Sequence, residues 1–193
     1  MDQQTSKIGR PRSEQAREAV LHAVDDLLLD VGYAAMTMKG IAERAGVGRQ
    51  TVYRWWSTKA EILFEASVID AREELTTPGT DDLLRDVTGY IEALTRFLGD
   101  SPAGAAYRAL LGEAQHDSTV ATLMATNDVL TESARAVVRR ARTTHEMRNS
   151  TMDQACALLI GPVFFWILSG RDPAALAADE LAEAFLTQLD RIR

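Results

Sequence analysis

The sequence contains little cysteine, proline or glycine. Of its 193 residues, one is cysteine, five are proline and twelve are glycine. The single cysteine, Cys156, excludes an intramolecular disulfide and indicates a reducing compartment. Its neighbours Ala155, Ala157 and Leu158 are apolar, so we expect a buried, unreactive thiol. The scarcity of helix breakers, together with long Ala- and Leu-rich runs, predicts an all-α fold.

Strand patterns and long apolar runs are also missing. No stretch shows the alternation of apolar and polar residues, bounded by turn residues, that predicts a sheet. No apolar signal segment stands near Met1, and the longest apolar run, around residues 155–168, is shorter than a membrane span and contains Gly161 and Pro162. We therefore expect a cytoplasmic protein with no membrane segment. With 46% hydrophobic residues, the chain can bury a substantial core.

Side-chain patterns typical of enzymes and metal sites are absent as well. The histidines His22, His116 and His145 are scattered, and none has a second histidine three or four residues away. No Gly-rich phosphate-binding loop follows a strand pattern. We expect no catalytic residues, no bound metal and no cofactor.

The acidic charge is unevenly distributed. The chain carries a net charge of −7, yet residues 1–65 contain nine basic and nine acidic residues. Residues 66–193 contain twelve basic and nineteen acidic residues and supply the whole excess. A neutral segment can still bind a polyanion if its basic groups share one face. The acidic remainder is expected to have a different role.

Residues 37–59 predict two short helices joined by a tight turn. Thr37 has a hydroxyl suited to cap the first helix. Gly46 can adopt the positive φ that ends it. Val52 and Trp56 stand four apart in the second helix and are expected to pack inward. This spacing is typical of a helix-turn-helix.

The other side chains of the second helix decide its interpretation. They are Arg49, Gln50, Thr51, Tyr53, Arg54 and Trp55. Arginine can pair with guanine and glutamine with adenine, whereas hydroxyl groups and the Lys59 ammonium suit phosphate oxygens. Each residue alone is also compatible with a solvated helix face. The whole set, in this spacing, predicts DNA binding.

The segment from Thr51 to Leu63, read TVYRWWSTKAEIL, resembles the N-terminal domain of the TetR (tetracycline-repressor) family. The resemblance implies a homeodomain-like arrangement of three helices, with a fourth linking it to a C-terminal helical module. It implies that Arg49, Gln50 and Thr51 approach the major groove. It also implies that Tyr53, Trp55 and Lys59 hold phosphates, although Trp55 replaces a frequent histidine. Within residues 37–59, the other predicted DNA-binding residues are Thr37, Lys39 and Arg54.

The predicted domain organisation begins with a flexible basic arm over residues 1–12. Its Arg10 and Arg12 can enter a minor groove, or the arm is a disordered tail; the sequence leaves both open. Residues 13–75 are predicted to form the DNA-binding domain and its fourth helix. After a break at residues 76–80, residues 81–193 are predicted to form a helical bundle for ligand binding and dimerisation. The predicted helices, about nine in all, include the ranges 13–31, 81–98, 102–114, 117–142, 151–168 and 173–192.

The last two predicted helices are more apolar than a surface helix requires. A contact of four helices across a two-fold axis would bury the surplus and matches how TetR-family members dimerise. The alternative is a deep core within one chain. The predicted interface residues are Ala155, Leu159, Val163, Leu181, Phe185 and Leu189. Two DNA-binding units held in this way would read an inverted-repeat operator.

The resemblance further implies a repressor that a small molecule releases from DNA. We expect a small apolar ligand in the C-terminal bundle. The predicted lining residues are Tyr90, Phe97, Tyr107, Leu111, Gln115, His116, Met124 and Trp166. Taken alone, each of these residues is more typical of a filled core than of a pocket. Two alternatives remain open: a DNA-binding regulator without a ligand or controlled by a protein partner, and an all-α enzyme.

Overall fold

The computed structural model describes residues 9–144 and 151–191, and the side chains of residues 13–141 and 151–189. This part of the chain is helical and confirms the predicted all-α class. One 3₁₀ turn, Pro173–Ala175, precedes the last helix. The α-helices are α1 (Gly9–Ala35), α2 (Met38–Arg44), α3 (Arg49–Trp55), α4 (Lys59–Glu74), α5 (Leu83–Gly99), α6 (Pro102–Ala114), α7 (Ser118–Thr126), α8 (Val129–Thr144), α9 (Met152–Leu168) and α10 (Ala178–Arg191).

The chain divides into two compact units between Ser67 and Val68, within α4. The sequence placed the boundary later, after Leu75. The difference has a physical cause: Ala71 and Leu75, on the second half of α4, are buried in the hydrophobic core of the second unit. Helix α4 therefore contributes to both cores.

The first unit contains the predicted helix-turn-helix. The Thr37 hydroxyl accepts a hydrogen bond from the Gly40 backbone N–H at 3.0 Å and so caps α2. At the other end, Gly46 has φ 65° and its N–H donates to the Glu43 carbonyl, while the Val47 N–H donates to the Ala42 carbonyl. This pair of bonds is a Schellman motif, which requires the positive φ that glycine tolerates. The predicted role of Gly46 is confirmed.

The end of the long part of α1 agrees with its prediction: Gly32 has non-helical φ 76° and ψ 163° and breaks the helix, and a separate short helical stretch follows to Ala35. The start differs, because the helix already begins at Gly9. Arg10 and Arg12 therefore lie on a helix, and the prediction that they belong to an extended arm is wrong. Residues 1–8 lie outside the described residues.

The start of α4 is fixed by a reciprocal cap. The Thr58 hydroxyl accepts from the Glu61 N–H at 3.2 Å, and the Glu61 carboxylate accepts from the Ser57 N–H at 2.7 Å. The sequence predicts this capping box, although the carboxylate reaches one residue further back than usual. Two otherwise unpaired donors at the junction of α3 and α4 are satisfied in this way.

The second unit is built around α5. This helix packs against α6, α8, α9 and α10, and its large apolar side chains from Val87 to Leu98 are fully buried. The centre of its Phe97 ring lies 5.9 Å from the centre of the Tyr107 ring of α6. Helix α6 begins at Pro102 as predicted, and the Ser101 side chain caps it.

Residues 117–142 do not form the single helix that the sequence predicts. Helix α7 ends at Thr126, and the Asn127 amide donates to the Leu123 carbonyl at 2.9 Å. The next residue, Asp128, accepts from the Thr131 N–H at 3.0 Å and caps α8. Short amide and carboxylate side chains compete with the helix backbone for hydrogen bonds. The Asn-Asp pair therefore ends one helix and starts the next.

Helix α9 has its predicted bounds, and a capping box between Thr151 and Gln154 opens it. The last helix starts later than predicted, at Ala178, because Asp172 caps a short 3₁₀ turn and Leu176 is extended. No helix in the described residues is both long and apolar enough to cross a membrane. Cys156 is buried, and burial raises the pKa of its thiol to about 11, in agreement with the predicted unreactive cysteine.

A buried carboxylate ties the loop after α4 to helix α8. Asp86 Oδ1 accepts hydrogen bonds from the Thr80 N–H and hydroxyl, both at 2.8 Å. Asp86 Oδ2 lies 2.9 Å from Arg140 Nε, but the N–H is not aligned on it, so this contact is mainly electrostatic. Burial alone would raise the pKa of Asp86; the Thr80 hydrogen bonds and the Arg140 charge outweigh it and lower the pKa.

Asp86→Asn is expected to lower the free energy of unfolding by about 1–3 kcal/mol at pH 7, since it leaves Arg140 beside a neutral group. Because the pKa of Asp86 is lower in the folded than in the unfolded protein, its ionised carboxylate stabilises the fold above the unfolded pKa of about 3.9. This stabilisation is lost as the pH falls through the folded-state pKa. Urea unfolding at pH 7 and below pH 4 measures both effects. The exposed Asp81→Asn is the matched control. Equal losses in the two variants at pH 7 would contradict the role of Asp86.

Candidate DNA-binding site

Helix α3 presents its predicted DNA-binding residues on the surface. Val52 and Trp56 are 0% and 4% exposed and face the core of the first unit. Arg49, Gln50 and Arg54 are exposed and Thr51 is half-buried. Tyr53 is 56% exposed, although tyrosine usually hides much of its ring. The helix therefore offers cationic, amide and hydroxyl donors to an external partner.

The aromatic pair at the end of α3 is ordered by ring contacts. The Arg54 guanidinium lies 4.9 Å from the centre of the Trp55 ring. The Trp55 and Trp56 rings meet edge to face, with centres 5.4 Å apart. Trp55 is half-buried, and its ring holds Arg54 through a cation–π contact. Trp55 therefore orients a cation at the helix surface in addition to its predicted phosphate contact.

Lys59 has internal partners that the sequence does not reveal. Its Nζ donates to the carbonyl oxygens of Tyr33 and Met36, at 2.8 and 3.1 Å, and lies 4.2 Å from the centre of the Tyr33 ring. An ammonium group has three N–H donors, and two of them serve these carbonyls. Lys59 therefore fixes the start of α4 against the turn between α1 and α2, whether or not it also contacts a phosphate.

The remaining predicted DNA-binding residues have separate environments. Thr37 is exposed but uses its hydroxyl to cap α2. Lys39 is exposed and lies 3.6 Å from the Glu43 carboxylate, one helical turn away. The side chains of Arg10 and Arg12 lie outside the described residues.

Family comparisons agree with this surface. Residues 20–66 match the family model described as bacterial regulatory proteins, tetR family, and residues 77–188 match the tetracyclin repressor-like C-terminal domain. The uncharacterized HTH-type transcriptional regulator YdeS of Bacillus subtilis strain 168 is 32% identical over 187 residues, which are 95% of this chain and 90% of YdeS. The chain belongs to the TetR family. It is a DNA-binding transcriptional regulator.

Two further relatives bear on this TetR-family regulator. The crystal structure of the TetR family transcription regulator SCO0332 matches it with a TM-score of 0.69 at 27% identity, covering 93% of this chain and 98% of that one. The HTH-type transcriptional activator FasR of Mycolicibacterium smegmatis is 31% identical over 122 residues, 63% of this chain and 50% of FasR. Proteins similar to this regulator thus include one described as an activator.

The predicted ligand-pocket residues of the regulator do not line one common cavity. Tyr90 and Phe97 are fully buried in the core of the second unit, and the Tyr90 hydroxyl lies 3.0 Å from the Ser133 hydroxyl. Burial raises the pKa of Tyr90 well above its ordinary value. Gln115 and His116 are exposed at the end of α6. The polar groups predicted for the pocket therefore face solvent instead of the core.

The other predicted pocket residues are also dispersed. Met124 is buried, Tyr107 and Leu111 are half-buried, and Trp166 is half-buried with its indole N–H donating to the Asp172 carbonyl at 2.8 Å. Two open clefts of the second unit, of about 680 and 710 Å³, involve none of the predicted residues. The larger share of their lining consists of charged and hydroxyl side chains, including Arg72, Asp128 and Arg135 in the first.

The predicted dimer-interface residues lie mostly inside the subunit. Ala155, Leu159 and Val163 of α9, with Phe185 and Leu189 of α10, are buried in the core of the second unit, and Leu181 is half-buried against it. The five buried side chains are not available to a second copy, so the predicted interface is wrong for them; for Leu181 it stays a prediction. Because α9 is apolar almost all round, its sequence did not distinguish the inner stripe from the outer one.

The outer face of α9 is nevertheless apolar. Ala157 and Pro162 are exposed, Phe165 is 62% exposed and Leu168 is 37% exposed, while Leu158 and Gly161 on the same side are half-buried. We call these six residues the outer α9 face. The Arg171 guanidinium lies 4.9 Å from the centre of the Phe165 ring at one end of it.

Sequence reasoning missed Glu65. Its carboxylate accepts the Trp56 indole N–H at 2.9 Å and forms an ion pair with Arg17 of α1. A signal was available: a tryptophan that packs inward needs an acceptor for its N–H. No pattern in the sequence pointed to Glu65 as that acceptor, because it stands on the next helix.

Proposed function

We propose that this regulator is a homodimeric repressor that reads an inverted-repeat operator through α3 and releases it when a small molecule binds the second unit. The observation that carries the proposal is the exposed set on α3. Arg49 and Gln50 have the donor groups that recognise guanine and adenine edges. Tyr53 and Arg54 flank them on the same exposed helix and suit phosphate oxygens.

The outer α9 face supports dimerisation. Monomers rarely leave a helix face with exposed Phe165 and Leu168 beside small residues such as Ala157 and Gly161, because that area remains in water. Small residues let two helices approach closely, while a phenylalanine supplies the large buried area that interface centres favour. TetR-family regulators act as dimers, and we assign this face to the contact between two copies.

Repression relieved by a small molecule is the typical behaviour of the family, and α4 gives it a physical route. Helix α4 carries Lys59 and Glu65 contacts in the first unit and buries Ala71 and Leu75 in the second. A ligand that favours one position of this helix shifts the population of DNA-binding states by its differential affinity for them.

A second candidate is a regulator that responds to a protein partner or to no ligand. The complete burial of Tyr90 and Phe97 favours it, since these two residues fill the region where the sequence predicts a pocket. The two candidates are distinguished by adding small-molecule fractions and protein fractions of a cell extract to the operator complex and measuring release of the DNA. Release by small molecules alone supports the first candidate.

Arg49→Ala is expected to relax base preference, with an operator-specific loss of about 1–3 kcal/mol and little change on random DNA. Tyr53→Phe is expected to weaken operator and random DNA alike, by roughly three- to tenfold, because it removes one hydroxyl from the backbone-binding set. Fluorescence anisotropy titrations with an operator duplex and a random duplex, at fixed salt, measure the affinity of each variant relative to the wild type. Equal losses on both duplexes for Arg49→Ala would show that Arg49 does not read bases.

The experiment that tests the proposal is selection of bound fragments from a genomic library, followed by transcription from the recovered promoters in vitro. We expect recovered sites to share an inverted repeat and transcription to fall when the protein is added. Sites without two-fold symmetry would contradict the dimeric reader. Increased transcription would contradict repression and support activation, as in FasR.

A further inference from the structure

The buried indole N–H of Trp56 depends on one acceptor. Trp56 follows α3 directly, with extended φ and ψ of −134° and 135°, and its side chain is almost completely buried. Its Nε1 donates to Glu65 Oε2 at 2.9 Å. A buried donor that loses its partner has a desolvation cost, and a charged acceptor makes the bond stronger than a neutral one.

Glu65 joins three helices of the first unit. It stands on α4, accepts from Trp56 at the end of α3, and pairs with Arg17 of α1 through its other oxygen. Arg17 Nη1 also lies 3.3 Å from Glu14 Oε1. Because Oε2 accepts a hydrogen bond from one helix end and Oε1 lies in an ion pair with another helix, the rotation of the Glu65 side chain is restricted.

Helix α3 needs such an external support. It is seven residues long, and no side chain caps its first turn, where Gly48 stands. A helix of this length has little stability of its own. Its orientation is therefore set by the two side chains that anchor it in the core, Val52 and Trp56. Of these, Trp56 has a directional bond as well as apolar contacts.

We infer that Glu65 is a positioning residue for DNA recognition: through the Trp56 indole it sets the rotation of α3, and with it the direction in which Arg49 and Gln50 meet the base edges. The inference rests on the proposed presentation of α3 to DNA. Phosphate contacts tolerate small rotations better than base contacts, since hydrogen bonds to base edges require a defined angle.

Whether removal of the Glu65 carboxylate weakens or strengthens DNA binding distinguishes a positioning role from a purely electrostatic one. Glu65 carries a negative charge in the unit that binds a polyanion. If charge were its whole contribution, removing it would strengthen binding to every duplex and change the salt dependence. The positioning role instead predicts weaker operator binding, unchanged random-DNA binding and an unchanged salt slope.

The test compares Glu65→Ala, Glu65→Gln and Trp56→Phe with the wild type, using an operator duplex recovered from the library and a random duplex of equal length. Glu18→Ala is the control, because Glu18 is exposed and carries the same charge on α1. Thermal unfolding of each variant defines a temperature at which all are folded. The measured quantity is the ratio of operator to random-DNA affinity.

We expect this ratio to fall about tenfold for Glu65→Ala and Trp56→Phe, the size expected from one lost charge-assisted hydrogen bond. Glu65→Gln retains an oxygen that accepts the indole N–H and is expected to keep most of the ratio. The double variant of Glu65→Ala and Trp56→Phe is expected to match either single one, since both remove the same bond.

An unchanged or increased ratio for folded Glu65→Ala would overturn the inference, as would additive losses in the double variant. If Glu65→Ala does not fold, an unchanged ratio for Trp56→Phe has the same consequence. A wild-type protein that does not distinguish the two duplexes would contradict the proposed function itself. Normal discrimination by the wild type and by every variant would overturn the positioning role alone.

Discussion

Phe165→Glu is expected to convert the regulator into a monomer that binds its operator roughly 10²- to 10⁴-fold more weakly. The change places a charge on the outer α9 face, where a second copy would have to desolvate it. Each subunit should remain folded, because Phe165 is 62% exposed and the new carboxylate would lie beside the Arg171 guanidinium. The loss in affinity follows from the loss of the second, linked DNA contact.

Light scattering and operator titration measure these two effects together. The control is Leu84→Glu, which adds the same charge at a leucine of α5 that is 39% exposed and lies off the outer α9 face. The control variant is expected to remain dimeric with wild-type operator affinity. A dimeric Phe165→Glu protein would place the dimer contact elsewhere.

Gly104→Ala is expected to cause the largest loss of stability in the second unit, about 3 kcal/mol or more. Gly104 stands in the first turn of α6, where a Cβ atom would overlap the backbone carbonyl group of Phe97 on α5. Backbone atoms cannot move aside as a flexible side chain can. The two helices would have to separate, and the contact between the Phe97 and Tyr107 rings would be lost.

Gly112→Ala is the matched control for this substitution. Gly112 lies on the same helix, and a Cβ atom there would have no neighbour within 4 Å. Alanine has the higher helix propensity, so we expect Gly112→Ala to stabilise the unit by up to about 1 kcal/mol. Urea unfolding followed by circular dichroism compares the two variants. Similar effects from both would contradict the close approach of α5 and α6 at Gly104.

The helix-turn-helix was predictable because its determinants are local. The Thr37 cap and the Gly46 turn each act within a few residues, and the four-residue spacing of Val52 and Trp56 defines the inner face of α3. Local rules of this kind are read directly from a sequence. The bounds of α9 were equally local, since Thr151 provides a complete capping box.

Features that depend on a distant partner were not predictable. The Lys59 ammonium suits a phosphate or a backbone carbonyl equally well, and the carbonyls of Tyr33 and Met36 belong to another helix. Glu65 was missed for the same reason. Helix α9 shows a different limit: with apolar residues on both faces, periodicity cannot distinguish the core stripe around Leu159 from the exposed stripe around Phe165.

The central claim is that two copies of α3 face the duplex across a two-fold axis. Cleavage of the operator by an iron chelate attached to Ser57→Cys, just beyond α3 and outside the predicted DNA-binding residues, tests it most directly. Ser57 is exposed, whereas the native Cys156 is buried with a thiol pKa of about 11, so labelling is selective. We expect two cleavage centres related by the dyad of the inverted repeat and separated by about 34 Å of duplex or a multiple of it. A single cleavage centre, or cleavage without a preferred position, would contradict the claim.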